Sequence, residues 1–322
     1  MTEIASDMPR SRPQATEGPA DDSAVPPISV VIPHYNDLDN LRNCMDLLAA
    51  QTLPSDSFEI IVADNNSRCG LNAVEAVCAG RARVIPAPIQ GAGEARNMGV
   101  RAARGRLLAF IDSDCRPSPD WLESGAAALA DSDMVGGAIE IEAADPSDPT
   151  ASEAFEMVFA FNIERYVREE NYCSSGNMFV SRRIFDAVGG FRVGVSEDKD
   201  WGRRAVAMGY RWRYAPQARV SHPARRDWDE LTRKWRRLTA ESYELLLEQP
   251  AGAIRWLARS WIVLVSPFAH ATTVLLSPKL DRASLRCKAL YILFRLRLWR
   301  FVEAHRIFFA RPARNALDPG ER

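Results

Sequence analysis

Histidine is scarce in this chain, with four among 322 residues, and none adjoins a cysteine. The six cysteines (Cys44, Cys69, Cys78, Cys115, Cys173 and Cys287) include no C-x-x-C pair. A zinc site is therefore not expected, nor a disulfide framework, and reduced thiols in a cytosolic compartment are the simplest reading. An excess of one charge is also missing: 41 Lys and Arg against 42 Asp and Glu leave a formal net charge of -1. No global field then recruits nucleic acid, and no nucleic-acid partner is expected. Residues 1–27 lack the apolar segment of a signal peptide and are rich in Asp, Glu, Ser, Pro and Ala. Such a stretch buries too little apolar area to offset its ordering entropy and is expected to form a disordered tail. There is no P-loop, and Gly91-Ala92-Gly93-Glu94-Ala95-Arg96-Asn97 falls short of the G-x-G-x-x-G spacing, which argues against a dehydrogenase or nucleotidyltransferase. Internal repeats are absent. So is a run of about 20 strongly apolar residues, the length that spans a bilayer.

What is present is a globular composition, 47% hydrophobic and 26% charged, in a chain long enough to bury a large core. Ile28 to Ile32 is a β-branched run closed by Pro33, the pattern of a strand buried on both faces. Leu38, Leu41, Met45 and Leu48 then recur at helical spacing over 37–50. Strands are predicted at 58–63, 83–85, 107–111 and 134–139, with helices over 72–79, 93–103 and 119–130 between them. Strands alternating with helices imply an α/β fold with a mostly parallel central sheet, whose ligands bind beyond the carboxyl ends of the strands. The polar clusters 33–37, 64–67 and 112–114 occupy those ends and are expected to share one rim. The turn-rich Asp145-Pro146-Ser147-Asp148-Pro149 divides a nucleotide-binding half, 28–144, from an acceptor half, 145–226. In the second half we expect a helix over 151–168, a loop at 173–177, a helix over 198–208, and a strand at 211–214 leading towards His222.

Asp112-Ser113-Asp114 follows a buried strand, where paired carboxylates suit Mg²⁺ or Mn²⁺ shared with phosphate oxygens. A bare D-x-D also suits a solvated turn or a helix N-cap. Asp64 ends its strand where it can accept a hydrogen bond from a base or ribose, or close an Asx-turn. Glu197-Asp198-Lys199-Asp200 opens a helix, where acids are favoured by the dipole; the chemical reading makes Asp198 a general base. His222 is either a structural histidine or a ligand for Mn²⁺. Arg96 suits a donor phosphate or a surface ion pair.

Together these stretches resemble the family 2 glycosyltransferases. The resemblance is carried, in order from Ile28 to His222, by Val30-Val31-Ile32-Pro33-His34-Tyr35-Asn36-Asp37, Glu59-Ile60-Ile61-Val62-Ala63-Asp64-Asn65-Asn66-Ser67 and Ala95-Arg96-Asn97-Met98-Gly99. Phe110-Ile111-Asp112-Ser113-Asp114, Ser175-Gly176-Asn177-Met178, Val188-Gly189-Gly190-Phe191 and Glu197-Asp198-Lys199-Asp200 complete it. It implies a GT-A sandwich over 28–226 and inverting transfer of a sugar from a nucleotide-diphosphate donor to an acceptor hydroxyl. By the same resemblance Pro33, Tyr35 and Asp37 line the nucleotide pocket, and Asp64 pairs with the base. Asp112 and Ser113 touch ribose or sugar, and Arg96 belongs to the donor side. Asp114, with His222, binds Mn²⁺ or Mg²⁺. Asp198 is the catalytic base, supported by Glu197, and Gly176 and Asn177 form an acceptor loop. Asn65-Asn66 stands where the family commonly has Asp-Gly. The Q-x-x-R-W motif of processive synthases is missing, so a single addition is expected.

Residues 227–322 read as a helical extension. Trp228 to Leu247 is a long helix, and the charge-free 260–278, diluted by Pro267, His270, Ser and Thr, suits a buried or interfacial helix. Leu285 to Ala310 interleaves Arg and Lys with Leu, Ile, Phe and Trp, as does a basic amphipathic helix on an anionic leaflet or a packing helix with a solvated basic face. The acceptor is expected to be a saccharide or a lipid-linked one, and peripheral membrane contact through 260–310 would suit the latter. The expectation is a cytoplasmic enzyme at the inner face of the membrane, serving surface polysaccharide or glycolipid assembly. The alternative is a catalytically inactive sugar-nucleotide-binding scaffold. Retention of Asp112, Asp114 and Asp198 argues against it.

Overall fold

A computed structural model describes residues 27–310. The tail expected at the N-terminus lies outside these apart from Pro27, as does the end of the helical extension. The first half contains β1 (Ile28–His34), α1 (Leu38–Ala49), β2 (Phe58–Asp64), α2 (Leu71–Cys78), β3 (Arg83–Pro86) and α3 (Ala92–Ala102). It continues through β4 (Leu107–Ile111), a short β5 (Arg116–Pro117), α4 (Trp121–Ala130) and β6 (Met134–Glu142). The second half contains α5 (Ala151–Phe159), α6 (Ile163–Glu169), β7 (Asn177–Ser181), α7 (Arg182–Val188), α8 (Glu197–Ala207) and β8 (Trp212–Pro223). Three long helices follow: α9 (Trp228–Leu247), α10 (Gly252–Leu275) and α11 (Ala283–Ala310).

The strands form one sheet in the order β3-β2-β1-β4-β7-β6-β8-β5. The first four run parallel. β7 enters antiparallel between β4 and β6, and β8 returns parallel to β6 across a bulge at Gly137/Ala138. Successive side chains of a strand point to opposite faces. Val30, Ile32, Ile60, Val62, Ala109 and Ile111 pack with Leu41, Met45, Val74 and Trp121 on one face. Val31, Ile61, Leu108 and Phe110 pack with Val100, Phe185 and Trp201 on the other. Burial on both faces is why these strands read as unbroken apolar runs.

The α4 layer has no spare volume. A Cβ on Gly125 overlaps the Phe179 ring, which lies 5.1 Å from the ring of Trp121. Gly125→Val is expected to overpack this layer and destabilise the fold by about 1–3 kcal/mol. The check is a lower urea midpoint at unchanged slope; an unchanged midpoint contradicts the packing.

The helix expected over 151–168 is two helices. Ala160 is extended, Phe161 has φ +51°, and the Asn162 side chain caps α6 by accepting from the Arg165 N–H at 3.2 Å. Asn is a strong N-cap residue, so the break has a local cause. It brings the Phe161 ring to 5.0 Å from His222.

The α10–α11 hairpin packs on α5 and α9: Val274, Leu285, Ile292, Leu293 and Leu296 meet Leu231 of α9 and Phe155 of α5. The α11 arginines do not form the expected solvated face alone. Arg295 lies 3.9 Å over the Trp228 ring and Arg300 3.9 Å over Trp235, both on α9. Apolar side chains are turned outwards instead: Phe294, Leu298 and Val302 of α11 are exposed, as are Trp261 and Phe268 of α10. Among the described residues no helix is long and apolar enough to cross a membrane.

Candidate active site

Because β1, β2 and β4 are parallel neighbours, their carboxyl ends meet on one edge. At the first two, buried His34 places Nδ1 3.0 Å from Asp64 Oδ1, while its Nε2 accepts the Asp37 N–H at 3.3 Å. The ring proton therefore belongs on Nδ1, facing the carboxylate. Ser67 donates to Asp64 from its N–H (3.1 Å) and its hydroxyl (2.5 Å). Asn36 and Asn66 turn the chain with φ of +57° and +63°, a region Asn tolerates better than most residues. Asn65 donates to the carbonyls of Ala87 and Ile89 and accepts the Gly91 N–H, which fixes the loop leading into α3. His34, Asn65 and Ser67, given no role from sequence, are the frame of this rim.

Of the residues expected here, Tyr35 is exposed, Pro33 half-buried, and Asp37 caps α1 through the Asn40 N–H at 3.2 Å. Asp64 is buried with its oxygens engaged by His34 and Ser67.

Arg96, from α3, is neither a surface ion pair nor a free phosphate ligand. It is 4% exposed, and its Nη2 donates to Asp112 Oδ1 at 2.5 Å while Nη1 donates to Glu197 Oε1 at 2.8 Å. Burial opposes its charge, but Asp112, Glu197 and Asp198 outweigh that and hold it protonated. One guanidinium therefore ties the end of β4 to the start of α8. Gly176 closes on the same acid: a Cβ there would lie 2.8 Å from Asp112 Oδ2. The Asp198 Oδ1 is buried and, among the described residues, has no hydrogen-bond partner. Burial pushes this carboxyl up to about 6, with Arg96 pulling it down and Glu197 pushing it further up. Glu241 of α9 joins the cluster unforeseen: burial, with Glu197 and Asp198 nearby, raises it to about 7 against the pull of Arg237.

On the other side of the D-x-D turn, His222 Nε2 lies 3.2 Å from Asp114 Oδ2. His222 Nδ1 is 2.7 Å from the Pro223 carbonyl, so this nitrogen carries a proton. In the neutral ring the Nε2 lone pair then faces a carboxylate oxygen, two electron-pair donors aimed at one point. Burial raises the Asp114 carboxyl, but when the His222 ring is protonated instead, its charge and donated hydrogen bond, with Arg225, outweigh burial and hold Asp114 at about 2. A carboxylate and an imidazole so placed fit a divalent cation. Among the described residues no group of three or more His, Cys, Asp or Glu gathers around one point. A cation there would need further ligands beyond these two, of the kind phosphate oxygens supply to Mg²⁺. Burial and the nearby acids push the Cys44 and Cys115 thiols up. Ser113 is half-buried between the two acids.

Asn177 does not belong to an acceptor loop. Its side chain is fully buried, donates to the carbonyls of Ala138 and Ala218, and accepts from Trp121 Nε1, each at 2.8 Å. It joins β6, β8 and α4, and no donor is left over for a substrate.

This arrangement has relatives. Residues 29–189 match Glycosyl transferase family 2. The chain belongs to this family. The matched span ends before the α8 acids. This family 2 chain is 31% identical over 211 residues to the glycosyltransferase AglE of Haloferax volcanii, an alignment covering 63% of this chain and 69% of AglE. It is 29% identical over 217 residues to the pre-mycofactocin glycosyltransferase of Mycobacterium tuberculosis, covering 62% of this chain and 44% of that protein. Among solved structures it resembles the mannosyltransferase PcManGT from Pyrobaculum calidifontis, in complex with GDP-Man and Mn²⁺. The TM-score is 0.60 at 18% identity, with 91% of each chain covered. The shared fold is GT-A, a mixed α/β sheet with C-terminal helices.

Proposed function

We propose that this glycosyltransferase moves a hexose or related sugar from a nucleoside diphosphate to an acceptor hydroxyl with inversion. The observation that carries the proposal is the Arg96 clamp, which holds Asp112 on the donor side and Glu197, next to Asp198, on one guanidinium. Asp198 removes the proton from the acceptor O–H, and the oxygen forms its bond to the anomeric carbon. The bond from that carbon to the diphosphate breaks on the opposite face, and its electrons leave on the phosphate oxygen. A single displacement inverts the configuration. Arg96 fixes Glu197, the residue before Asp198, and so positions the start of α8 that carries the base. Pro33, Tyr35 and Asp37 line the nucleoside, with Asp64 ordering the rim towards the base. Asp112 and Ser113 face the sugar, and Gly176 lets the acceptor side approach Asp112. Asp114 and His222 would hold Mn²⁺ or Mg²⁺ together with the donor phosphates. When bound, the cation neutralises charge on the departing diphosphate. That the fold neighbour was solved with GDP-Man and Mn²⁺ is in keeping with this reading. Residues 28–226 form the catalytic unit, to which α9 adds Glu241.

The test is thermal unfolding with UDP, GDP or dTDP, with Mn²⁺ or with EDTA. One diphosphate is expected to stabilise the protein only when Mn²⁺ is present, by about 2–3 kcal/mol at a hundredfold excess over Kd. Asp114→Asn should lose that increment. Equal stabilisation in EDTA would remove the metal from the account.

The acceptor is read as lipid-linked, used at the inner face of the cytoplasmic membrane in surface polysaccharide or glycolipid assembly. What supports this is the apolar face of Trp261, Phe268, Phe294, Leu298 and Val302, on two helices whose single acid is Glu303. Phe268→Glu with Leu298→Glu is expected to lower co-sedimentation with anionic vesicles about tenfold or more, since about 1.5–3 kcal/mol accompanies burial of each apolar side chain. Unchanged sedimentation would exclude this face.

A further inference from the structure

Beside the base helix lies a second concave feature that the transfer reaction leaves unused. It is a cavity of about 310 Å³ between α8, α9 and α10, into which Lys199, Arg203, Arg255 and Arg259 converge with Ser242 and Gln249. Its construction is local. Ala251 adopts φ +55° and Gly252 sits so close to the Leu246 carbonyl that a Cβ would overlap it, so α10 folds straight back on α9. Arg255 and Arg259, one turn apart on α10, are thereby carried to the flank of α8 that holds Lys199 and Arg203.

The charge there is unbalanced. Lys199 Nζ is 3.3 Å from Glu170 and 4.7 Å from the centre of the Tyr172 ring. Among the described residues no carboxylate lies within ion-pair distance of Arg203, Arg255 or Arg259. Lys199 is held below its usual value by burial and, against the opposing pull of Glu170, by Arg259 and Arg203, so the cations repel one another across the cavity. Like charges crowded in one hollow are unfavourable until an anion occupies it. Three arginine forks, a hydroxyl and an amide form a donor set suited to phosphate oxygens rather than to a single carboxylate. Ile254 and Ile262, before and after the two arginines in the sequence of α10, are exposed.

We propose that this cavity binds a phosphate or diphosphate group, separately from the donor site, and that the neighbouring apolar surface favours a group carried by a membrane amphiphile. The inference does not depend on the transferase reading.

The experiment uses the full chain in EDTA on an Asp114→Asn background, so that the donor site does not report. Inorganic phosphate and pyrophosphate are titrated calorimetrically. Vesicles of phosphatidylcholine, alone or with phosphatidic acid, are compared by co-sedimentation. Arg259→Glu is expected to weaken pyrophosphate or phosphatidic acid binding at least tenfold, whereas Lys279→Glu, an equal charge change at an exposed position outside the cavity, leaves it within twofold. Arg259→Gln provides the same comparison should the reversal unfold the protein. Binding of phosphatidic acid but not of free anions identifies a lipid headgroup, and binding of both identifies a phosphate site in general. Equal losses in the two charge variants, or no saturable binding of any probe, overturn the proposal.

Discussion

Asp198→Asn is expected to lower the rate of transfer by about 10²–10⁴-fold, the range general-base catalysis contributes, while donor affinity stays nearly unchanged. The pH dependence has a fixed sign. A protonated carboxyl accepts no proton, so wild-type activity should fall as pH drops through about 6, where burial holds Asp198. The same group makes a statement about stability. Its folded value of about 6 lies above the ordinary 3.8, so the folded state binds this proton more tightly. The stabilisation is fully present below the ordinary value and is lost as pH rises through about 6. Removing the charge should therefore make Asp198→Asn more stable than the wild type at pH 8, by about 1–3 kcal/mol, and no more stable at pH 4. Melting curves at the two pH values read this directly. Preserved turnover, or lost donor binding with turnover intact, would assign the base elsewhere.

The second large effect is at Arg96. Arg96→Leu leaves Asp112 and Glu197 facing each other without their shared partner, and about 3–5 kcal/mol of stability should be lost along with transfer. Arg96→Lys restores a charge but not a fork, so it should recover more stability than activity. These outcomes separate a clamp from a donor-phosphate ligand. Loss of a phosphate ligand raises the donor KM and leaves the melting temperature in place; loss of a clamp lowers the melting temperature and kcat together.

What could be read from sequence followed from local rules. Strands β1, β2 and β4 announced themselves because both their faces are buried, and the polar clusters after them marked the rim. Asn162 carried the signal for the break between α5 and α6, which an apolar pattern running through it concealed. Strand β7 was hidden because five residues, Asn177 to Ser181, between a Ser-Gly turn and two arginines are too few for periodicity to register. The role of Arg96 had no local sign at all, since its partners stand 16 and 101 residues away. Asn177 was singled out by pattern and misassigned: its amide is needed inside the sheet, where Trp121 and two backbone carbonyls require partners. For α11, interleaved charge read as an amphipathic helix, yet charged and apolar side chains are spread around it with little segregation. Stacking on Trp228 and Trp235 turned two arginines towards the protein and left apolar side chains outside.

The most direct measurement is the anomalous scattering of Mn²⁺ in crystals grown with the stabilising nucleoside diphosphate. The account predicts a single strong peak touching Asp114 and His222 and bridging to the phosphates, with Asp198 on the opposite side of the sugar position. A nucleoside diphosphate bound on the rim with its Mn²⁺ away from Asp114 and His222 would contradict it.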